Sequence, residues 1–193
     1  DRSGSDRDAD HYRFEYEGDG SSLAFGDPSA RPVLTCEVRN AAPPPIPDRL
    51  DVVARRGLEL SPIDLGDPRA VRWLRALVWP EHFERGLKMD EALAVAKRVP
   101  ATIEAGDATA DIEAAIAKLP DDAPRVVFAT HALYQIPKEG RRAMADGIAR
   151  ASRTGPIDFV SMEGDFKGAS RIDHYAYEGG ERAGRRALAR SDN

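Results

Sequence analysis

The chain has 193 residues, and its composition is that of a folded globular protein. The formal net charge is −5 and the basic residues are scattered, which argues against a dedicated duplex-DNA binder and leaves nucleic acid only as a substrate. One cysteine, Cys36, excludes an intrachain disulfide, and no apolar run reaches the roughly 20 residues that a bilayer-spanning helix needs. We therefore expect a cytoplasmic protein without a membrane partner.

Residues 1–47 predict a β-hairpin appendage and a connector. Aromatic and charged residues alternate from Tyr12 to Tyr16, which is the period of a half-buried strand. A second strand, Val33 to Val38, is expected to pair with the first, with a turn at Phe25-Gly26-Asp27-Pro28 between them. The prolines of Ala41 to Pro47 favour a stiff, extended spacer.

Residues 48–193 predict a separate domain of alternating strands and helices. A strand from Val52 to Leu60 is followed by a helix that begins at Asp67-Pro68, and Pro80 separates this helix from a second helical segment, Glu81 to Val99. The remaining expected elements are strands and helices in turn: Ala101 to Glu104, Ala110 to Leu119, Arg125 to Ala129, Lys138 to Ser152, Ile157 to Met162 and Ile172 to Tyr177. This order predicts a Rossmann-like, mostly parallel sheet with flanking helices and an antiparallel edge strand at its end.

Three of the expected strands run directly into polar, acidic or small residues. These stretches are Gly57 to Pro62, Thr102 to Ala108 and Arg125 to Pro137. In an open α/β sheet, ligands bind outside the carboxyl ends of the strands. The three strand ends therefore predict one shared crevice.

His131 is the best-placed titratable residue near this predicted crevice. An imidazole near neutrality can accept a proton from a nucleophile that is about to react. We expect His131 and Glu163 to be catalytic, and Tyr134 to contact the substrate. The alternative for His131 is a structural histidine whose ring is satisfied by its neighbours.

The helical region around Pro80 supplies the other candidate substrate residues. Pro80 is expected to kink or split the helix, so that Trp79, Glu81 and His82 turn to one side and form a substrate wall. The alternative is that the tryptophan packs in a core and that Glu81 forms an ion pair with Arg85, four residues later.

The sequence resembles two families. Three stretches resemble the second, third and fourth strand-end motifs of class I S-adenosylmethionine-dependent methyltransferases: Gly57-Leu58-Glu59-Leu60-Ser61-Pro62, Gly106-Asp107-Ala108 and Val127 to Pro137. Nearly the whole chain is similar to an uncharacterised prokaryotic family, domain of unknown function number two-three-three-two. That similarity is carried by Phe25 to Pro28, Leu34 to Arg39, Gly57 to Leu65 and especially Arg72 to Glu81.

The resemblance implies a methyltransferase-like fold with S-adenosylmethionine as a possible cofactor. In such a fold Glu59 would bind the ribose hydroxyls and Asp107 the adenine amino group, because carboxylates accept these hydrogen bonds. The neighbouring residues of the implied cofactor site are Leu60, Gly106, Ala108 and Thr130. The alternatives are that Glu59 is only a solvated charge and that Asp107 only caps the following helix.

The chain departs from the methyltransferase pattern because no glycine-rich loop precedes Glu59. The family resemblance implies such a motif upstream of Asp1 and a further strand after Asn193, so we expect a fragment truncated at both ends. The leading hypothesis is a methyltransferase with an unidentified acceptor, a small molecule being favoured. The alternative is a noncatalytic ligand-binding or regulatory protein of the same fold. No metal site is expected, and the oligomeric state is left open.

Overall fold

The computed structural model describes residues 11–18, 20–46, 50–165 and 168–192. The chain forms two compact units, residues 1–53 with 63–101 and residues 54–62 with 102–193. This division differs from the domain boundary expected between residues 47 and 48, which stays a prediction. Each unit is described separately below.

The first unit contains a three-stranded sheet with the order β2-β1-β3. Its strands are β1 (Arg13–Gly18), β2 (Ser21–Phe25) and β3 (Val33–Glu37). The hairpin expected between β1 and β3 is wrong, because β3 pairs parallel to β1 and the antiparallel partner of β1 is β2. The chain reverses at Gly20, whose φ is +77°, and it reverses again between β2 and β3. These two reversals bring β3 back in the direction of β1.

Two helices complete the first unit, α1 (Pro68–Ala76) and α2 (Phe83–Arg98). The predicted start of α1 is confirmed, since the Asp67 side chain accepts a hydrogen bond of 2.8 Å from the Arg69 backbone N–H. The two helices are joined by an ion pair in which Arg75 Nε lies 2.7 Å from Asp90 Oδ1.

The second unit contains two sheets and two α-helices among its described residues. Strands β4 (Arg56–Glu59) and β5 (Thr102–Ala105) pair in parallel as one sheet. The other sheet has the order β6-β7-β8-β9, and only its β6–β7 pair is parallel. Its strands and the helices of this unit have these bounds: α3 Ala108–Ile116, β6 Arg125–Thr130, α4 Lys138–Ala151, β7 Ile157–Gly164, β8 Ala169–Glu178 and β9 Glu181–Asp192.

The prediction of a Rossmann-like, methyltransferase-like and mostly parallel sheet is wrong. The described strands form three small sheets, and three of the strand pairs are antiparallel. A parallel crossover needs a dozen or more residues, but β7 and β8 are joined by a short connection. Strands β8 and β9 are joined by Gly179 and Gly180 alone, whose φ values of +63° and +96° suit a two-residue hairpin turn. Strand β8 is therefore an inner strand and not the expected edge.

The core of the second unit lies between the four-stranded sheet and its two helices. Its buried hydrophobic side chains come from both layers: Ile116, Met144, Ile148, Ala151, Ile157, Phe159 and Tyr177. Gly147 allows α3 and α4 to approach closely, since a Cβ at this position would lie 2.6 Å from Ile112 Cγ2. Burial raises the pKa of Tyr177, as expected for a phenol in this core. On the other face of β6, Val126 and Phe128 are exposed.

Candidate functional site

A groove of about 460 Å³ in the second unit brings part of the predicted cofactor site together. Its walls are β4 and β6, and its floor is formed largely by α3, including Ile112 and Ile116. Three of the predicted cofactor residues line it, namely Glu59, Ala108 and Thr130. Leu60, Gly106, Asp107 and His131 are not among the residues that line the groove. The ends of β4 and β6 and the start of α3 therefore meet at this groove, and the cofactor role of these residues stays a prediction.

The ends of β4 and β5 are joined through their backbones. The Gly106 N–H donates to the Glu59 carbonyl oxygen at 3.1 Å. The Glu59 side chain is exposed, and its Oε1 accepts one long hydrogen bond of 3.3 Å from the Ser61 N–H. A carboxylate has room for several further hydrogen bonds. Glu59 can therefore accept bonds from a bound ligand without losing a structural contact.

Asp107 caps helix α3. Its Oδ1 accepts a hydrogen bond of 2.8 Å from the Thr109 N–H, and its own N–H donates to Asp111 Oδ2 at 2.8 Å. The backbone hydrogen bond from Thr109 lowers the pKa of Asp107. The helix-capping reading is thus present in the structure, and the adenine-binding role of Asp107 stays a prediction.

His131 begins the loop that follows β6, in an unusual backbone conformation. Its φ is +51°, in the left-handed region that non-glycine residues rarely adopt. The His131 N–H donates to the Met162 carbonyl oxygen at 2.8 Å, and its Nε2 lies 3.3 Å from the hydroxyl of Ser170. Ser170 is fully buried while the imidazole is exposed. The strained residue is therefore anchored at its backbone and at its ring.

Glu163 holds the rest of the same loop. Its two carboxylate oxygens accept backbone hydrogen bonds from Ala132, Leu133 and Tyr134, at 3.1, 2.9 and 3.2 Å. Three consecutive amides around one carboxylate form an anion-binding nest. The catalytic role predicted for Glu163 is not tested by this geometry, but its oxygens already have a structural function.

Gln135 is a residue of this loop that the sequence interpretation missed. Its Nε2 donates to the His131 carbonyl oxygen at 3.2 Å and lies 3.4 Å from the hydroxyl of Tyr134. Tyr134 itself is exposed. No sequence motif marks a glutamine whose side chain contacts residues of its own loop, so these contacts of Gln135 could not be predicted.

The other predicted substrate residues belong to the first unit. Glu81 and His82 line a shallow pocket of about 510 Å³ at the start of α2, together with Phe83, Glu84, Arg85 and Lys88. The His82 N–H donates to the Trp79 carbonyl oxygen at 2.9 Å, which closes the turn between the helices. Trp79 is exposed, so its side chain does not pack in a core of this unit. Their predicted contact with a substrate stays a prediction.

Two kinds of feature are absent from the described parts of the chain. No set of three or more His, Cys, Asp or Glu side chains there is arranged to hold a metal ion. No helix within those parts combines the length and the apolar character that a membrane span requires.

The fold and the groove define a two-unit protein of mixed α and β structure with an open, ligand-sized site in its second unit. The chain belongs to the family described as "Uncharacterized protein conserved in bacteria (DUF2332)", whose family model matches residues 4–193. This match confirms the resemblance to the domain of unknown function and gives no support to the resemblance to methyltransferases. No curated protein and no solved structure matches the chain.

Proposed function

We propose that this chain binds S-adenosylmethionine and belongs to a methyltransferase whose acceptor is an unidentified small molecule. The observation that carries the proposal is the groove of the second unit, where Glu59, Ala108 and Thr130 lie together. These residues end or follow three different strands, which is where the strand-end motifs would hold a nucleoside.

The chemistry of the groove fits an adenosyl group. Glu59 is an exposed carboxylate with capacity for two hydroxyl donors, and vicinal ribose hydroxyls are such donors. Leu58, Ile112 and Leu133 offer apolar contacts for a flat ring beside it. A polar end and an apolar wall in one concave site are the usual features of a nucleoside pocket.

His131 would remove a proton from the substrate that receives the methyl group. The bound cofactor supplies an electrophilic methyl group, so this chain has only to orient the acceptor and remove its proton. The exposed imidazole is held at Nε2 by Ser170 and at the backbone by Met162. Glu163 assists by fixing the loop that carries His131.

A noncatalytic ligand-binding or regulatory protein is the second candidate, and one observation favours it. Whereas Glu59 accepts only one long bond of 3.3 Å, Asp107 and Glu163 accept backbone hydrogen bonds that cap a helix and hold a loop. Such carboxylates stabilise turns and helix ends without taking part in chemistry. In that protein Glu59 binds a ligand and no methyl group moves.

Calorimetric titration of S-adenosylmethionine and S-adenosylhomocysteine tests the proposal. We expect one site per chain with a dissociation constant on the order of micromolar, weakened about tenfold or more by Glu59→Gln, a loss of roughly 1.4 kcal/mol or more. Glu181→Gln is the matched control, because Glu181 is an exposed carboxylate on another strand. A well-folded chain that binds neither compound overturns the proposal, and so does an equal loss in both variants.

Turnover separates the two candidates. S-adenosylhomocysteine release is measured with a pool of small amine, hydroxyl and thiol acceptors. His131→Asn is the informative variant, because asparagine tolerates the left-handed backbone at this position. Binding retained with release reduced at least tenfold supports the methyltransferase. Binding of S-adenosylmethionine without release of S-adenosylhomocysteine in the presence of any acceptor supports the noncatalytic protein.

A further inference from the structure

The groove of the second unit is bordered by two sheet edges that have no partner strand. Among the described residues, β4 is hydrogen-bonded only to β5, and β6 only to β7. Residues from all along β4 and most of β6 line the groove, whereas no residue of β5 or β7 does. The open edges of β4 and β6 therefore face the same space. Each edge presents a row of backbone N–H and C=O groups that a further strand can bind.

The strands on the two sides of the groove run in the same direction. Helix α3 follows β5 and helix α4 follows β6, and the two helices lie side by side. Thr109 lies beside Gly140 near the starts of the helices, and Glu113 pairs with Arg150 further along both. The helices thus run in the same direction. Because a strand and the helix that follows it run in opposite directions in a strand–helix unit, we infer one direction for β5 and β6 as well. Since β4 is parallel to β5, both walls of the groove have one polarity.

The size and lining of the groove fit a short extended strand. The groove has a volume of about 460 Å³ and is lined along the whole of β4, whose four residues set the length of strand that can pair there. Ile112, Ile116 and Met144 are among the apolar side chains that line it. An alternating strand would bury its apolar side chains against them.

We propose that this groove binds one extended polypeptide strand, parallel to β4 and β6 and hydrogen-bonded to both. The occupant is a segment of three to five residues with small or branched aliphatic side chains and no proline. Residues 1–10 of this chain do not have that composition, since they contain no branched aliphatic or aromatic residue. The occupant is therefore an aliphatic segment of a partner polypeptide, bound through the same backbone pairing that other proteins use for strand addition.

The proposal does not rest on the proposed function. Both ligands would contact Leu58 and Ile112, but the strand needs the backbone edges along the whole groove, whereas the adenosyl group needs the Glu59 carboxylate. Titration of S-adenosylmethionine with and without the bound strand distinguishes the two. Either binding event can fail while the other is observed.

An array of heptapeptides with a central core of Val, Ile, Ala and Gly tests the proposal. The best-binding peptide is titrated into the full chain by fluorescence anisotropy, beside the same peptide with a central proline. We expect saturation at one peptide per chain and at least tenfold weaker binding with proline. Leu58→Lys, which adds a charge in the groove, should weaken binding at least tenfold. Ile103→Lys, on β5 outside the groove lining, is the matched control and should change it less than twofold.

Hydrogen exchange of the backbone amides identifies the occupant. Peptide binding should protect amides of residues 56–59 and 126–130 together and leave those of β9 unchanged. Protection on only one of the two strands, or binding that survives the proline peptide, overturns the proposal. Protection of both strands that depends on protein concentration without peptide shows that a second copy fills the groove, and it overturns the proposal as well. The proposal is also overturned if no peptide of the array binds and protects both strands.

Discussion

Strand β6 has two different flanks, and they divide the second unit into two regions. On the β7 flank, β6 joins a four-stranded sheet whose side chains pack with α3 and α4 into a buried core. On the other flank, β6 borders the groove, and Glu104 of the β4–β5 pair forms an ion pair with Lys118 in the turn that follows α3. We call these the core region and the groove region. The core region is completed by this chain's own side chains, whereas the groove region has open backbone edges.

Removing buried volume from the core region should give the largest loss of stability. Ile148 is 0% exposed, so Ile148→Ala leaves a cavity, and we expect the free energy of unfolding to fall by about 2–5 kcal/mol. Phe128, beside the groove, is 76% exposed, so Phe128→Ala should change it by about 0.5 kcal/mol or less. Urea unfolding followed by circular dichroism measures both.

A graded variant keeps this comparison informative. Ile148→Val removes one methylene and should cost about 0.5–1.5 kcal/mol, so it is measurable even if the alanine variant does not fold. Equal losses for Ile148→Val and Phe128→Ala would contradict the comparison, because the groove flank of β6 would then be as well packed as the core.

The local order of helices and strands was largely predictable from sequence. Apolar periodicity indicated strands and helices close to β6, α4 and β7, and Asp67-Pro68 marked the start of α1 correctly. Strand pairing was not predictable in the same way, because apolar and polar residues can alternate equally in parallel and in antiparallel strands. Strand β9 was missed since its many arginines hide the period of two. The Gly179-Gly180 pair was the signal that could have revealed it.

The candidate site was predictable only where a residue type is tied to a strand end. Small and acidic residues that follow apolar runs pointed to Glu59, Ala108 and Thr130, which line one groove, and their cofactor role stays a prediction. The hydrogen bonds of Glu163 were not predictable, since its three partners are backbone amides some 30 residues away. Backbone groups leave no pattern in a sequence.

Loss of the Glu163 carboxylate should have the next largest effect, and it should be local. Glu163→Ala leaves the amides of Ala132, Leu133 and Tyr134 without their acceptor, and we expect a loss of about 1–3 kcal/mol. Amide exchange in residues 131–135 should become at least tenfold faster, while exchange in β8 stays unchanged. Hydrogen exchange followed by mass spectrometry measures both regions.

Two controls define what this result means. Glu163→Gln keeps one acceptor oxygen, so its effect should be smaller than that of alanine. Glu178→Gln removes an exposed carboxylate at a strand end and should leave residues 131–135 unchanged. If Glu163→Ala accelerated exchange equally throughout β7 and β8, Glu163 would belong to the core and not to the loop.

Acid should destabilise the groove region at a higher pH than the core region. This effect should be smaller than those of the Ile148 and Glu163 variants. The hydrogen bond from Lys118 lowers the pKa of Glu104 in the folded chain. The contact therefore contributes its full stability above the pKa of Glu104 in the unfolded chain, roughly 4.3. That stability is lost as the pH falls through the lower pKa of the folded chain. We expect β5 amides to exchange faster from about pH 6 to about pH 3, after correction for intrinsic rates, and Glu104→Gln to remove this dependence. High salt should act in the same direction at pH 6 because the contact is exposed. An unchanged acid response in Glu104→Gln, beside Glu178→Gln as control, would mean that other groups hold the β4–β5 pair to α3.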